Sequence, residues 1–275
     1  MDQVILITGS TDGLGKLVAS HLADQGATIL LHGRNECKGV KVLEDLQNQS
    51  GNQSHRYFNA DFSSLEQVNG LAGDIIADYK HIDILINNAG IGGGPRTQPQ
   101  RELSEDGIEL RFAVNYLSTY LLTRRLLPVL KKRGTRIVNV SSVGQEHIDF
   151  NNVMFEHDYE GLKAYRQSKL AMIMFTFDLA DELKDTGVTV NALHPASLMD
   201  TKMVMEYFGK AMTSVEEGAK AVEYLALSSE LDNVTGQYFD GMKKSKALPQ
   251  AYDKEARRKL RELSEKLVAT NVPHI

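Results

Sequence analysis

Apolar residues in this chain fall into two alternating rhythms. Short aliphatic and β-branched runs read as buried strands: Val4-Ile5-Leu6-Ile7, Thr28-Ile29-Leu30-Leu31, Ile82-Asp83-Ile84-Leu85-Ile86, Thr135-Arg136-Ile137-Val138-Asn139-Val140 and Val188-Thr189-Val190-Asn191-Ala192-Leu193. His55 to Asn59 and Gln237-Tyr238-Phe239 add two shorter ones. Between them apolar positions recur at helical spacing, as in Leu14, Leu17, Val18 and Leu22, in Val40, Leu43 and Leu46, and in Leu65, Val68, Leu71, Ile75 and Ile76. A long helix is predicted from Ser104 to Lys132, another from Leu162 to Asp185, and a charged terminal one from Tyr252 to Ala269. Strand and helix alternating with no break in composition predicts one α/β domain over residues 1–275, a doubly wound parallel sheet of about seven strands.

The punctuation fits this order. Gly26 and Gly187 end helices, Ser64 is placed to cap one, and Thr213 and Ser214 with Glu216 and Glu217 form a capping box. Three segments have no period. Residues 91–100 are a glycine- and proline-rich loop after the fourth strand, where open α/β sheets keep their ligand crevice. Residues 144–161 read as an irregular insertion over that crevice. Residues 196–212 carry four methionines, Tyr207 and Phe208, which suits either a substrate lid or a core-packing helix.

Composition narrows the partners. At a net charge of −5, with Lys131-Lys132-Arg133 and Arg257-Arg258-Lys259 as the main basic clusters, the chain offers no field for nucleic acid or an anionic membrane. Cys37 is the sole cysteine, which rules out an intrachain disulfide and a cysteine-based metal site; no metal is expected. The first strand begins at Val4 and no apolar run reaches the ~20 residues of a membrane span, so a cytoplasmic protein without a membrane anchor is expected.

Candidate chemistry sits at strand ends. Thr8-Gly9-Ser10-Thr11-Asp12-Gly13-Leu14-Gly15 joins the first strand to the first helix, where unpaired N–H groups and the helix dipole favour a pyrophosphate. The G-x-x-x-G-x-G spacing departs from the common dinucleotide fingerprint, and such a cluster can also close a ligand-free βα turn. The second strand ends on His32-Gly33-Arg34-Asn35, with no acid to hold ribose hydroxyls and with a guanidinium suited to a 2′-phosphate. Tyr165 and Lys169 share a helix face, and an ammonium beside a phenol favours proton transfer near neutral pH. Tyr159 and Lys163 repeat that spacing, but Gly161 between them weakens the helix. Asn115 is a poor choice for a helix interior, so it faces water or is held for a reason.

Taken in order, the glycine motif, Asp61 with Phe62 after the third strand, Asn87-Asn88-Ala89-Gly90, Asn115, Ser142, Tyr165-x-x-Ser168-Lys169 and Pro195 resemble the short-chain dehydrogenases/reductases, a Rossmann-type family, along nearly the whole chain. The long gap between Ser142 and Tyr165 resembles the retinol-dehydrogenase-like branch. The resemblance implies an oxidoreductase interconverting an alcohol and an aldehyde or ketone, on a small molecule that the methionine-rich lid suggests is apolar, by direct hydride transfer. It implies that Tyr165 exchanges the proton, Lys169 lowers its pKa and binds the nicotinamide ribose, Ser142 rather than Ser141 holds the substrate oxygen, and Asn115 keeps a relay water. It also implies that Gly9, Ser10, Thr11, Asp12, Gly13, Leu14, Gly15, Arg34, Asn35, Asp61, Phe62, Asn88, Ala89, Gly90, Tyr165, Lys169, Pro195 and Thr201 line the cofactor. With Gly33 and Arg34 in place of an acid, the cofactor reading is NADP(H) over NAD(H). The family usually has Pro-Gly after the sixth strand; here Ala196 follows Pro195, and Thr201 lies one place late, with Asp200 in its expected position. Members pair into homodimers or homotetramers through the helices around Asn115 and Tyr165, contacts that the insertion can obstruct. The alternative reading is a catalytically silent nucleotide-binding regulatory or scaffold protein.

Overall fold

A computed structural model describes residues 3–94 and 100–272. The first half runs β1 (Val4–Ile7), α1 (Gly13–Asp24), β2 (Thr28–Gly33), α2 (Glu36–Ser50), β3 (Arg56–Asn59), α3 (Leu65–Asp78) and β4 (Ile84–Asn87). A helix made of α4 (Leu110–Phe112), a π-turn (Ala113–Leu117) and α5 (Ser118–Leu130) leads to β5 (Arg136–Val140), α6 (Gly161–Glu182) and β6 (Thr189–His194). α7 (Lys202–Phe208), α8 (Val215–Leu227), β7 (Gln237–Asp240), β8 (Lys243–Ser245) and α9 (Lys254–Asn271) complete it.

Among the described residues the strands form one eight-stranded sheet, ordered β3-β2-β1-β4-β5-β6-β7-β8, parallel except for the antiparallel β7–β8 pair. Successive side chains on a strand face opposite layers. Ile5, Ile7, Ile29 and Leu31 accordingly pack with α1 and α8, while Leu6, Leu30 and Leu85 pack with α3, α5 and α6. Strand order reverses between β1 and β4, so the crevice of this sheet opens at their carboxyl ends.

Several local expectations are corrected. The sheet has an eighth strand, polar Lys243-Lys244-Ser245, which no apolar pattern announces and which the β7 edge recruits. On α2 the buried face is Gly39, Val42 and Leu46 while Val40 is exposed; the helix docks through Gly39, where a Cβ would stand 2.0 Å from the Tyr57 ring. Ser64 makes no side-chain cap: the Leu65 N–H donates to Asp106 Oδ2 at 3.0 Å instead. Asp106 belongs to a turn in which Ser104 N–H donates to the Ile108 carbonyl, so the long helix starts at Leu110, capped by Glu109 Oε2 on the Phe112 N–H. Of the capping box the serine half forms, with Ser214 Oγ accepting from the Glu217 N–H.

The two readings of residues 196–212 separate. α7 has no buried residue, and Met203, Met205 and Phe208 are exposed, so it is not a core-packing helix. The insertion has no helix or strand before Gly161, yet it buries Ile148, Val153 and Phe155. α9 docks on the helices around Asn115 and Tyr165: Ser264 and Tyr116 share a hydrogen bond of 2.7 Å, Arg257 pairs with Asp181 at 3.1 Å, and Arg261 with Asp178 at 3.1 Å. Of the loop at 91–100, residues 95–99 lie outside the described residues. No helix among the described residues is long and apolar enough to cross a membrane.

Candidate active site

The glycine turn closes β1 onto β4. Thr8 Oγ1 accepts from the backbone N–H groups of Asn88 (2.9 Å) and Ala89 (3.0 Å), and Asn88 Nδ2 donates back to the carbonyls of Thr8 (2.9 Å) and Gly9 (3.0 Å). The approach leaves no room for side chains. A Cβ at Gly9 would stand 2.8 Å from Ala89 Cα, and one at Gly15 would stand 2.3 Å from the Gly9 carbonyl oxygen. Behind the turn Ser10 Oγ accepts from the His32 N–H (2.9 Å), and Leu14 is buried, so both side chains serve the scaffold. The bare first turn of α1 at the switch point is the cradle an anionic pyrophosphate fits.

His32 supports this turn from within the sheet. Its Nδ1 accepts from the Gly9 N–H at 3.2 Å, its Nε2–H donates to the Ala60 carbonyl at 3.1 Å, and its ring stacks on Phe62 at 4.5 Å. Burial holds its pKa down to about 4, so the ring is neutral. The Phe62 side chain is thereby core, and the Asp61 carboxylate accepts the Ser63 N–H. At the end of β2, Arg34 is exposed and Asn35 caps α2, its Oδ1 accepting from the Lys38 N–H at 2.9 Å. Where an acid would stand, Gly33 leaves room that Thr11 fills: a Cβ there would be 2.7 Å from Thr11 Cγ2.

The catalytic-type residues converge beside this cradle. Ser142 follows β5, and its hydroxyl accepts from the Gly144 N–H at 3.0 Å. Its carbonyl is fixed by Tyr238 (3.0 Å) and Gln145 (3.1 Å). Ser141, in contrast, spends its hydroxyl on the Lys169 carbonyl at 2.7 Å. Tyr165 and Lys169 lie one turn apart on α6, with the ammonium 5.6 Å from the ring centre. Burial pushes the phenol above its ordinary value and Ser142 draws it back; burial also brings Lys169 down to about 8, its ammonium donating to the Val140 carbonyl at 3.2 Å.

Asn115 is held for a reason. Within the π-turn its Oδ1 accepts from the Ile91 N–H (2.7 Å), while its Nδ2 donates to the Ile91 carbonyl (3.0 Å) and to Ser168 Oγ (3.0 Å). Gly90 lies against this group: a Cβ on it would be 3.2 Å from Asn115 Oδ1 and 3.5 Å from Lys169 Nζ. Asn88, Ala89 and Gly90 therefore connect the glycine turn to the lysine. Tyr159 lies before α6, 6.0 Å from the Arg111 guanidinium, and burial pushes its phenol to about 12, which removes the decoy pair.

After β6, Pro195 borders Gly218 and Leu14. Asp200 Oδ1 accepts from the Val215 N–H (2.6 Å), which uses up the residue standing in the expected threonine position. Thr201, one place on, sits over Gly13, its methyl 3.5 Å from where a Cβ would be, and its hydroxyl does not cap α7. Thr8, His32, Lys38 and Ser168 were not singled out by sequence reasoning; the signals available were the motif place of Ser168 and the four-residue spacing of Lys38 from Arg34.

A crevice at the switch point of a doubly wound sheet, with serine, tyrosine, lysine and asparagine gathered at its side, is the arrangement of a nicotinamide-type oxidoreductase. Residues 3–212 match the family model described as short chain dehydrogenase. The chain is 35% identical over 291 positions to human (Homo sapiens) retinol dehydrogenase 13, covering 99% of this chain and 86% of the relative. A short chain dehydrogenase of Shigella flexneri, solved complexed with NADP, superposes with a TM-score of 0.71 at 28% identity, over 88% of this chain and 97% of that one. One from Escherichia coli, complexed with NADPH, also gives 0.71 at 28% identity, over 87% and 96%. The chain belongs to the short chain dehydrogenase family, in its retinol-dehydrogenase-like branch, and is an oxidoreductase acting on CH–OH groups.

Proposed function

We propose that this oxidoreductase uses NADP(H) to interconvert an apolar primary or secondary alcohol with its aldehyde or ketone, with Tyr165 as the acid and base. The observation that carries this reading is the Lys169 ammonium 5.6 Å from the Tyr165 ring centre, with Ser142 at the end of β5, beside a cradle whose Arg34 is unpaired among the described residues. The glycine turn suits a dinucleotide because Gly9 and Gly15 let it pack tightly against Ala89 and Asn88, which sets the first turn of α1 at the crevice. Gly9 to Gly15 with Thr201 would hold the pyrophosphate side, Arg34 and Asn35 the adenosine end, and Gly90 and Lys169 the nicotinamide ribose. When bound, the cofactor supplies or accepts the hydride.

This chain's own residues then handle the oxygen and its proton. Ser142 offers its hydroxyl to the substrate oxygen and fixes the phenol next to it. Tyr165, kept protonated by burial, gives its proton to the oxygen of a carbonyl as charge develops there, and takes one from an alcohol in the reverse direction. Lys169 carries the charge that stabilises the phenolate so formed. Asn115 ties the loop after β4 to α6 and keeps Gly90 against Lys169. The exposed Met203, Met205 and Phe208 of α7 give the substrate an adaptable apolar wall.

The test is loss of reduced-nicotinamide absorbance when the purified protein meets NADPH and a panel of aldehydes and ketones graded in chain length. Turnover that rises with apolar length supports the reading; turnover confined to short polar carbonyls contradicts it.

A further inference from the structure

The glycine turn contains an acid, in a site read as taking a phosphorylated dinucleotide. Asp12 is the N-cap of α1 and uses both oxygens: Oδ1 accepts the Gly13 N–H at 2.9 Å, and Oδ2 lies 2.5 Å from Lys38 Nζ. Lys38 is in the first turn of α2, four residues after the exposed Arg34. The carboxylate thus engages a donor at the pyrophosphate end of the cradle and a cation at the adenosine end. Its charge also interacts with Lys202 of α7, and Lys38 holds the acid below the usual carboxylate range.

We propose that Asp12 is a built-in counter-anion that occupies Lys38 and weakens the chain's discrimination for the 2′-phosphate of NADPH over NADH. The inference rests on the reading that Arg34 faces that phosphate. Binding a 2′-phosphate draws Lys38 from Asp12 to the ligand and breaks that pair. NADH, which lacks the group, leaves the pair intact. The acid therefore costs affinity only for the phosphorylated cofactor, and only through Lys38.

The experiment is titration of NADPH and NADH by fluorescence into wild type, Asp12→Asn, Lys38→Met, the double variant and Arg34→Ala, with dissociation constants as the readout. Asn retains an oxygen for the Gly13 N–H while losing the charge. The expected result is that Asp12→Asn tightens NADPH about two- to fivefold with NADH unchanged. Lys38→Met weakens NADPH about fivefold or more, and Asp12→Asn has no effect on the ratio in the Lys38→Met background. An equal gain for both cofactors, or the same gain without Lys38, overturns the proposal. Arg34→Ala separates the underlying reading: loss of discrimination upholds it, and unchanged discrimination overturns it whatever Asp12→Asn does.

Discussion

Lys169 stands 5.6 Å from the centre of the Tyr165 ring while its ammonium donates to the carbonyl of Val140. The lysine is anchored to the end of β5, the strand that also delivers Ser142, so tyrosine, serine and lysine form one unit. Burial of this ammonium has a thermodynamic consequence. The folded pKa, about 8, lies below the ordinary value of 10.5, so the folded chain binds fewer protons than the unfolded one between these values. The penalty is full below pH 8 and fades as pH rises to 10.5. Lys169→Met is expected to be inactive yet more stable by about 2 kcal/mol at pH 7. Urea unfolding at pH 7 and pH 10 checks this, with the gap between the two proteins narrowing at pH 10.

His32 has the same sign over another range. Its folded pKa of about 4, below 6.5, means that its contribution to stability is present above pH 6.5 and lost as pH falls to 4. His32→Gln, which does not titrate, is expected to lose about 2 kcal/mol less than wild type between pH 6.5 and pH 4. Denaturant midpoints across that interval measure the difference.

Asn115→Ala removes three hydrogen bonds at a fully buried position and leaves the backbone of Ile91 without them. A loss of about 2–3 kcal/mol is expected from calorimetry. Activity is expected to fall mainly in kcat, because Gly90 loses its seat against Lys169.

Gly15→Ala would place a methyl group 2.3 Å from the Gly9 carbonyl oxygen and 2.4 Å from Asn88 Nδ2. Cofactor titration is expected to detect no binding at millimolar NADPH. Gly51→Ala, at a helix end with open space around it, is expected to cost stability through its positive φ of 72° while cofactor affinity stays at the wild-type value.

What the chain discloses before folding follows from how each feature is encoded. Period-two and period-3.6 apolar patterns place the central strands and most helices, because burial of a face is written in consecutive residues. The β8 strand is polar and exists because the β7 edge offers backbone groups, so nothing local predicts it. The rotated face of α2 depends on Tyr57 meeting Gly39, and the start of α3 on Asp106, contacts between residues far apart in sequence. The serine, tyrosine, lysine and asparagine that the fold brings together are legible from motif order. The partners that hold it in place, Ile91 for Asn115 and Val140 for Lys169, are backbone groups and carry no residue signal. Lys38 carries no local signal because its partner Asp12 lies 26 residues away in the glycine turn rather than along the helix.

The most direct measurement compares wild type with Tyr165→Phe in two assays on the same preparations, NADPH binding by fluorescence and NADPH-dependent reduction of an apolar aldehyde. The account predicts unchanged NADPH affinity and a fall in kcat of about 10³-fold, since only the proton donor is lost. A Tyr165→Phe protein that reduces the aldehyde at the wild-type rate would contradict it.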